Sequence, residues 1–112
     1  MPAGLLSGYR VLDLGSGISA PWCTKILADY GAEVIKVETP GLGDATRRMG
    51  PFAGDDPDPE KSLTFLYLNT NKKSVTLDPS SVSGRKLFYR MVADADVLVE
   101  NHSQAQSQDL GL

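Results

Sequence analysis

The stretch Tyr9–Glu38, YRVLDLGSGISAPWCTKILADYGAEVIKVE, decides the fold. Its first part, Tyr9 to Leu14, is a short apolar run that stops at Gly15-Ser16-Gly17, as a buried strand feeding a tight turn does. From Ser19 the periodicity changes. Ser19 stands where a cap belongs, Pro21 suits a first helical turn, and Trp22, Ile26, Leu27 and Tyr30 recur at helical spacing until Gly31 ends the helix. Glu33 to Val37 then has the composition of a second strand. Strand, helix and strand together make a β-α-β unit, whose crossover is right-handed and whose strands pair in parallel.

Downstream, Thr39 to Ser62 carries Pro40, Pro51, Pro57 and Pro59, several glycines and the acidic tip DDPDPEK, and is expected to be a long mobile loop. Ser74 to Leu77 is a brief β-type run. Ser81 to Ala93 places Leu87, Phe88, Met91 and Val92 at helical spacing, and Val97 to Val99 is another buried strand. These make a second β-α-β unit. The fold class is therefore α/β, a Rossmann-like parallel sheet built from two β-α-β units. The polar tail His102–Leu112, HSQAQSQDLGL, holds too little apolar surface to anchor itself firmly. With 112 residues and 41% apolar content, one domain over residues 1–112 is expected.

Charge and composition exclude several classes. Fourteen acidic residues against 11 basic ones leave a net charge of −3, so nothing in the overall balance draws the chain to nucleic acid or an anionic membrane. No window approaches the roughly 20 consecutive apolar residues of a membrane span. A single cysteine, Cys23, cannot form an internal disulfide, and Met1 to Gly8 lack the basic start and apolar run of a signal peptide, which points to a cytoplasmic protein. Cys23 and His102, the one of each in the chain, have no sequence partners for a nucleophilic pair or a metal site, and no metal is expected.

The first turn carries the chemistry. Asp13-Leu14-Gly15-Ser16-Gly17 follows a strand and Glu38 closes the next one, the general logic of nucleotide sites: the glycines admit a phosphate or adenosine and the acid accepts from ribose hydroxyls. Other readings share these residues. VLDLGSG resembles the first motif of S-adenosylmethionine methyltransferases, Gly15-x-Gly17-x-x-Ala20 is a loose NAD-type fingerprint, and a tight turn without any ligand fits the spacing equally well. Against the first two, Pro21-Trp22 sets a bulky rigid pair where a cofactor wants small residues, and no later methyltransferase motif follows Glu38. Asp13 and Asp96 read as turn-capping carboxylates rather than catalytic ones. Arg47 and Arg48, on the long loop, read as solvated surface charge.

A series of phrases in order goes further: LSGYRVLDLGSGISAPWCTKILADYGAEVIKVETPGLGD, TRRMGPF, FLYLNTNKKSVTLD, LFYRMVADADVLVEN and a closing LGL. In combination and spacing they resemble the family III CoA-transferases, the group of formyl-CoA transferase, carnitine CoA-transferase and α-methylacyl-CoA racemase, from Leu6 to Leu112. The resemblance implies an N-terminal segment, incomplete relative to the family fold, that holds coenzyme A as a substrate. Its implied contacts are Ile18, Ser19, Thr39, Lys72, Lys73, Leu77, Asp78, Pro79, Ser80, Asn101, His102 and Ser103, with Lys72 and Lys73 acting through phosphate or by anchoring a loop. The resemblance implies interlocked homodimers working on an acyl-CoA and a carboxylic acid, with a catalytic aspartate, which carries the acyl group as a mixed anhydride or accepts protons in the racemases, downstream of the segment resembled. No catalytic residue is therefore assigned here. The alternative is a catalytically inactive fragment that binds nucleotide or associates with a longer relative.

The chain departs from the family pattern at several of these positions. Relatives often carry a basic residue at Thr39, follow Leu-Asp with an apolar residue and a lysine where this chain has Pro79-Ser80, and read ENFxPG where it has Glu100-Asn101-His102-Ser103-Gln104-Ala105. Each lost phosphate contact removes a charge-assisted hydrogen bond of about 1.5 to 3 kcal/mol.

Overall fold

A computed structural model describes the protein from Gly4 to Leu112. Strand β1, Arg10–Asp13, pairs in parallel with β2, Glu33–Glu38, setting Arg10 opposite Glu33 and Asp13 opposite Lys36. Strand β3, Lys73–Thr76, joins the outer side of β2, and β4, Val97–Val99, joins the free side of β1. The sheet order is β3-β2-β1-β4, parallel throughout. Helix α1, Ser19–Asp29, makes the short crossover from β1 to β2, whereas α3, Val82–Ala93, carries the chain from one edge of the sheet to the other.

Side chains alternate across a strand, so β1 and β2 each serve two faces. Val11 and Val34 turn toward α1 and bury with Ala28 and Ala32. Leu12, Leu14 and Val37 turn the other way, onto the fully buried Phe88 of α3, with Ile35, Met91 and Leu98 packed around them. The same alternation puts Asp13 and Lys36 on the α1 face, in register and buried. Two adjacent strands thus deliver a matched pair of charges near their carboxyl ends.

Three local expectations are corrected. Ser19 does not cap α1: Ile18 stands at that position with no capping side chain, and the Ser19 hydroxyl instead accepts from Asn101 Nδ2 at 3.0 Å. The segment Thr39–Ser62 is not featureless. It contains one-turn helices at Ala45–Arg48 and Ala53–Asp55, and Ser62 Oγ ties back to the carbonyls of Thr46 and Met49 at 2.6 and 2.7 Å. Ser62 also caps a short helix α2, Leu63–Leu68, whose six residues give too brief a pattern to register in the sequence.

The tail is anchored too. Helix α4, Gln104–Asp109, starts with a reciprocal capping box between Ser103 and Gln106. Leu110 then packs against the Leu12–Phe88 core, while Arg85 and Tyr89 of α3 donate to the carbonyls of Asp109 and Gly111. One leucine and backbone capture by α3 replace the apolar stripe that the tail lacks.

Gly84 shows how tightly α3 is seated. It is buried in the first turn of the helix, and a Cβ there would run into the Asp78 carbonyl and lie 2.6 Å from Ser81 Oγ. In an exposed helix Gly→Ala stabilises by up to about 1 kcal/mol. Here Gly84→Ala is expected to destabilise by about 1–3 kcal/mol through overpacking, read as a lower urea midpoint with unchanged slope.

Candidate functional site

The carboxyl ends of β1, β2 and β3 open into a groove of about 270 Å³. One wall comes from the first turn, Leu14 to Ser16. The floor and far wall come from Lys36 to Thr39 with Gly43 and Asp44, and Leu77 to Ser80, His102 and Leu110 close the remaining side. Crevices outside the carboxyl ends of parallel strands are where open α/β sheets bind ligands.

Beneath this groove lies an ionic cluster shut off from solvent. Asp13 Oδ1 accepts from the Gly15 amide at 3.0 Å, which holds the turn, and Oδ2 accepts from Thr24 Oγ1 at 2.8 Å and Lys72 Nζ at 2.9 Å. Lys36 Nζ lies 3.6 Å from the same Asp13 oxygen and 2.7 Å from Asp44 Oδ2. It also donates to the Gly15 carbonyl at 3.3 Å. Asp44 Oδ1 gathers the amides of Gly17 and Thr46 and the Thr46 hydroxyl, at 3.2, 2.8 and 2.7 Å. Asp44 Oδ2 has no hydrogen-bond partner among the described residues and is held by the Lys36 charge alone. Two lysines and two aspartates balance, so the floor is electrically neutral. They also tie three separate segments, the first turn, the 43–46 loop and the 69–72 turn, to one point.

Burial tends to raise the Asp44 carboxyl pKa, yet the Lys36 ammonium and the Thr46 amide outweigh it and hold the group below its usual value. Burial also lowers Lys72, only partly offset by Asp13. A second ion pair flanks the groove. Arg47 grips Glu38 with Nε on Oε2 at 2.9 Å and Nη2 on Oε1 at 3.0 Å.

The residues expected to contact ligand separate into groups. Thr39, Leu77, Asp78, Pro79, Ser80 and His102 line the groove together. Asn101 stands behind the first turn, exchanging hydrogen bonds with the Ser16 backbone at 3.1 and 2.8 Å and reaching Ser19, so this pair shapes the turn. Ile18 lies beyond Gly17 with an exposed side chain, and Ser103 caps α4.

Lys72 and Lys73 do not reach the groove. Lys72 is buried, bonded to Asp13, the Pro21 carbonyl and Asn69 Oδ1, and anchors its loop. Lys73 bonds Glu33 at the opposite end of β2. Arg47 is corrected in the other direction: it is paired and largely covered, while Arg48 is exposed and bonds the Leu42 carbonyl. Lys36 and Asp44 escaped the sequence reading. The signal that could have found Lys36 is a lone cation within an apolar strand, in register with Asp13.

Among the described residues, no group of three or more His, Cys, Asp or Glu side chains is arranged to hold a metal, and no helix is long and apolar enough to cross a membrane.

Comparison with known proteins agrees with this fold. The sequence model of "CoA-transferase family III" matches residues 6–112. The acetyl-CoA:oxalate CoA-transferase of Acetobacter aceti is 41% identical over 110 residues, covering 98% of this chain and 27% of that protein. A formyl-CoA:oxalate CoA-transferase of Escherichia coli is 40% identical over 106 residues, covering 95% and 24%. The crystal structure of a CaiB/BaiF family protein from Brucella suis superposes with a TM-score of 0.84 at 39% identity, covering 98% of this chain and 29% of that one. The chain belongs to CoA-transferase family III. It spans about a quarter of the length of the curated relatives it matches.

Removing one member of a buried ion cluster strands the others. Lys36→Met is expected to cost about 3–5 kcal/mol in urea unfolding, because Asp44 then keeps a buried charge with no counterion. The depressed Asp44 pKa also has a sign: its stabilisation is complete above the ordinary carboxylate pKa and is lost as pH falls through the lower folded value. Urea midpoints measured from neutral into acid pH should therefore fall more steeply for the native chain than for Asp44→Asn.

Proposed function

We propose that this chain forms the part of a family III CoA-transferase that holds the nucleotide end of coenzyme A, bound as a substrate in the groove at the carboxyl ends of β1 to β3. The observation that carries the reading is the convergence of Thr39 and Leu77–Ser80 on that one groove, next to a glycine turn fixed from below. Leu77 and Pro79 offer apolar surface to a base. The hydroxyl of Thr39 is a hydrogen-bond donor suited to phosphate. The neutral floor lets an anion approach without repulsion. Ile18, Ser19, Asn101 and Ser103 would complete the site at its rim.

In the complete enzyme the same groove would present the thioester to an aspartate outside these residues, with CoA passing between carboxylic acids through an acyl-aspartyl mixed anhydride. The working form would be a cytoplasmic homodimer. The relatives named for oxalate and for formyl- or acetyl-CoA support this substrate class.

Titration calorimetry with coenzyme A tests the proposal: saturable binding is expected, and no heat of binding up to millimolar ligand would overturn it. The groove lacks a free cation at Thr39, so Thr39→Arg is expected to tighten CoA binding by about tenfold or more, as one charge-assisted contact to phosphate should.

A further inference from the structure

Glu38 stands where α/β nucleotide sites place the acid that accepts from ribose hydroxyls, at the end of the second strand. It lines the groove and also the polar cavity beside it, at 7% exposure. It is not a free acceptor. Arg47 meets it with two parallel N–H···O contacts, the bidentate geometry that binds a carboxylate most firmly.

Arg47 is itself held in place from several sides. Nη1 donates to the Pro59 carbonyl at 3.1 Å, and the guanidinium lies over the Phe65 ring at 3.8 Å. Gly43 makes room for the pair: it sits at φ +66°, and a Cβ there would fall 2.8 Å from Glu38 Oε2 and 2.9 Å from Arg47 Cδ. A side chain on the long loop has thus been packed specifically to cover this acid.

The covering inverts what the acid would otherwise select. A bare carboxylate favours a ribose with free 2′ and 3′ hydroxyls and repels a phosphate on that sugar. A carboxylate engaged by arginine loses its first role and its net charge. We propose that Arg47 is a specificity-determining residue: by masking Glu38 it makes the groove take a 3′-phosphorylated adenine nucleotide in preference to the same nucleotide with a free ribose diol. This inference rests on the groove being the CoA site. Within it, Thr39 follows Glu38 directly on the same wall and supplies a neutral donor, and the two other groove carboxylates are engaged, Asp78 by the Ser80 amide and hydroxyl and Asp44 by Lys36.

The test compares coenzyme A with 3′-dephospho-CoA by calorimetry on the native chain, Arg47→Gln, Glu38→Gln and the Glu38→Gln/Arg47→Gln double variant. The native chain should prefer coenzyme A. Arg47→Gln should lose coenzyme A affinity by about tenfold or more through like-charge repulsion from the uncovered Glu38, while 3′-dephospho-CoA binding holds or improves. The double variant should recover coenzyme A binding. Should Arg47→Gln fail to fold, Glu38→Gln alone decides, because it frees the Arg47 cation and should raise the preference for coenzyme A. Equal weakening of both ligands by Arg47→Gln, or an unchanged ratio in Glu38→Gln, overturns the inference while leaving the groove a CoA site. Binding of neither ligand to the native chain overturns the site and the inference together.

Discussion

The contact between Lys36 and its two aspartates, Asp13 and Asp44, is the constraint on which the groove depends. Asp13 and Lys36 come from adjacent strands and meet because the parallel register sets them side by side on one face. Asp44 comes from a loop with no strand of its own, yet it accepts from the Gly17 amide of the first turn and from its own helical turn at Thr46. Without the lysine, the turn and the loop would still touch through Gly17 and Asp44 and through Ser16 and Ala45, but Asp44 would lose its tie to the sheet. A buried ion cluster adds little net stability over a well-packed apolar substitute, since desolvation offsets much of the attraction. Its value here is geometric: it fixes where the glycine turn and the Gly43–Thr46 loop stand relative to the sheet edge.

Everything nearer solvent follows from that placement. With Asp44 pinned, the next turn carries Arg47 back over Glu38, and Ser62 closes the loop by capping α2 and bonding Thr46 and Met49. On the other side, α3 is set down tightly enough on the Asp78 carbonyl to require glycine at position 84, which positions Leu77–Ser80 along the groove. Thus the ligand-facing residues are mostly neutral, while the charges that organise them lie one layer below.

Much of this architecture was legible from residue pattern. The apolar runs at Tyr9–Leu14 and Glu33–Val37 mark the two central strands, and the spacing from Leu87 to Val92 brackets the buried Phe88. The pattern from Trp22 to Tyr30 marks a helix but not its buried face: α1 buries Ala20, Pro21, Thr24 and Ala28 and leaves Trp22, Ile26 and Tyr30 exposed, and Val97 on the edge strand β4 is exposed as well. The strand order was not legible, because pairing across the sheet depends on tertiary contacts that no local pattern records. Arg47 is paired where solvent was expected for a related reason, while Lys72 takes the loop-anchoring one of its two expected roles. A charged residue in a polar stretch looks the same in sequence whether it meets water or a carboxylate. Asp13 was read as a turn cap, and it is one, but its second oxygen serves the buried cluster. The tail was underestimated because one leucine and a capping box suffice once α3 supplies donors to its carbonyls.

Hydrogen exchange at the amides of Gly15, Gly17 and Thr46 tests the account most directly. Gly15 and Gly17 lie in a loop and Thr46 in a single helical turn, where exchange is ordinarily fast, but each donates to a carboxylate of the buried cluster. The account requires protection approaching that of β1 and β2 in the native chain and its loss in Lys36→Met with the sheet amides still protected. Fast exchange at these amides in the native chain, or protection that survives removal of Lys36, would contradict it.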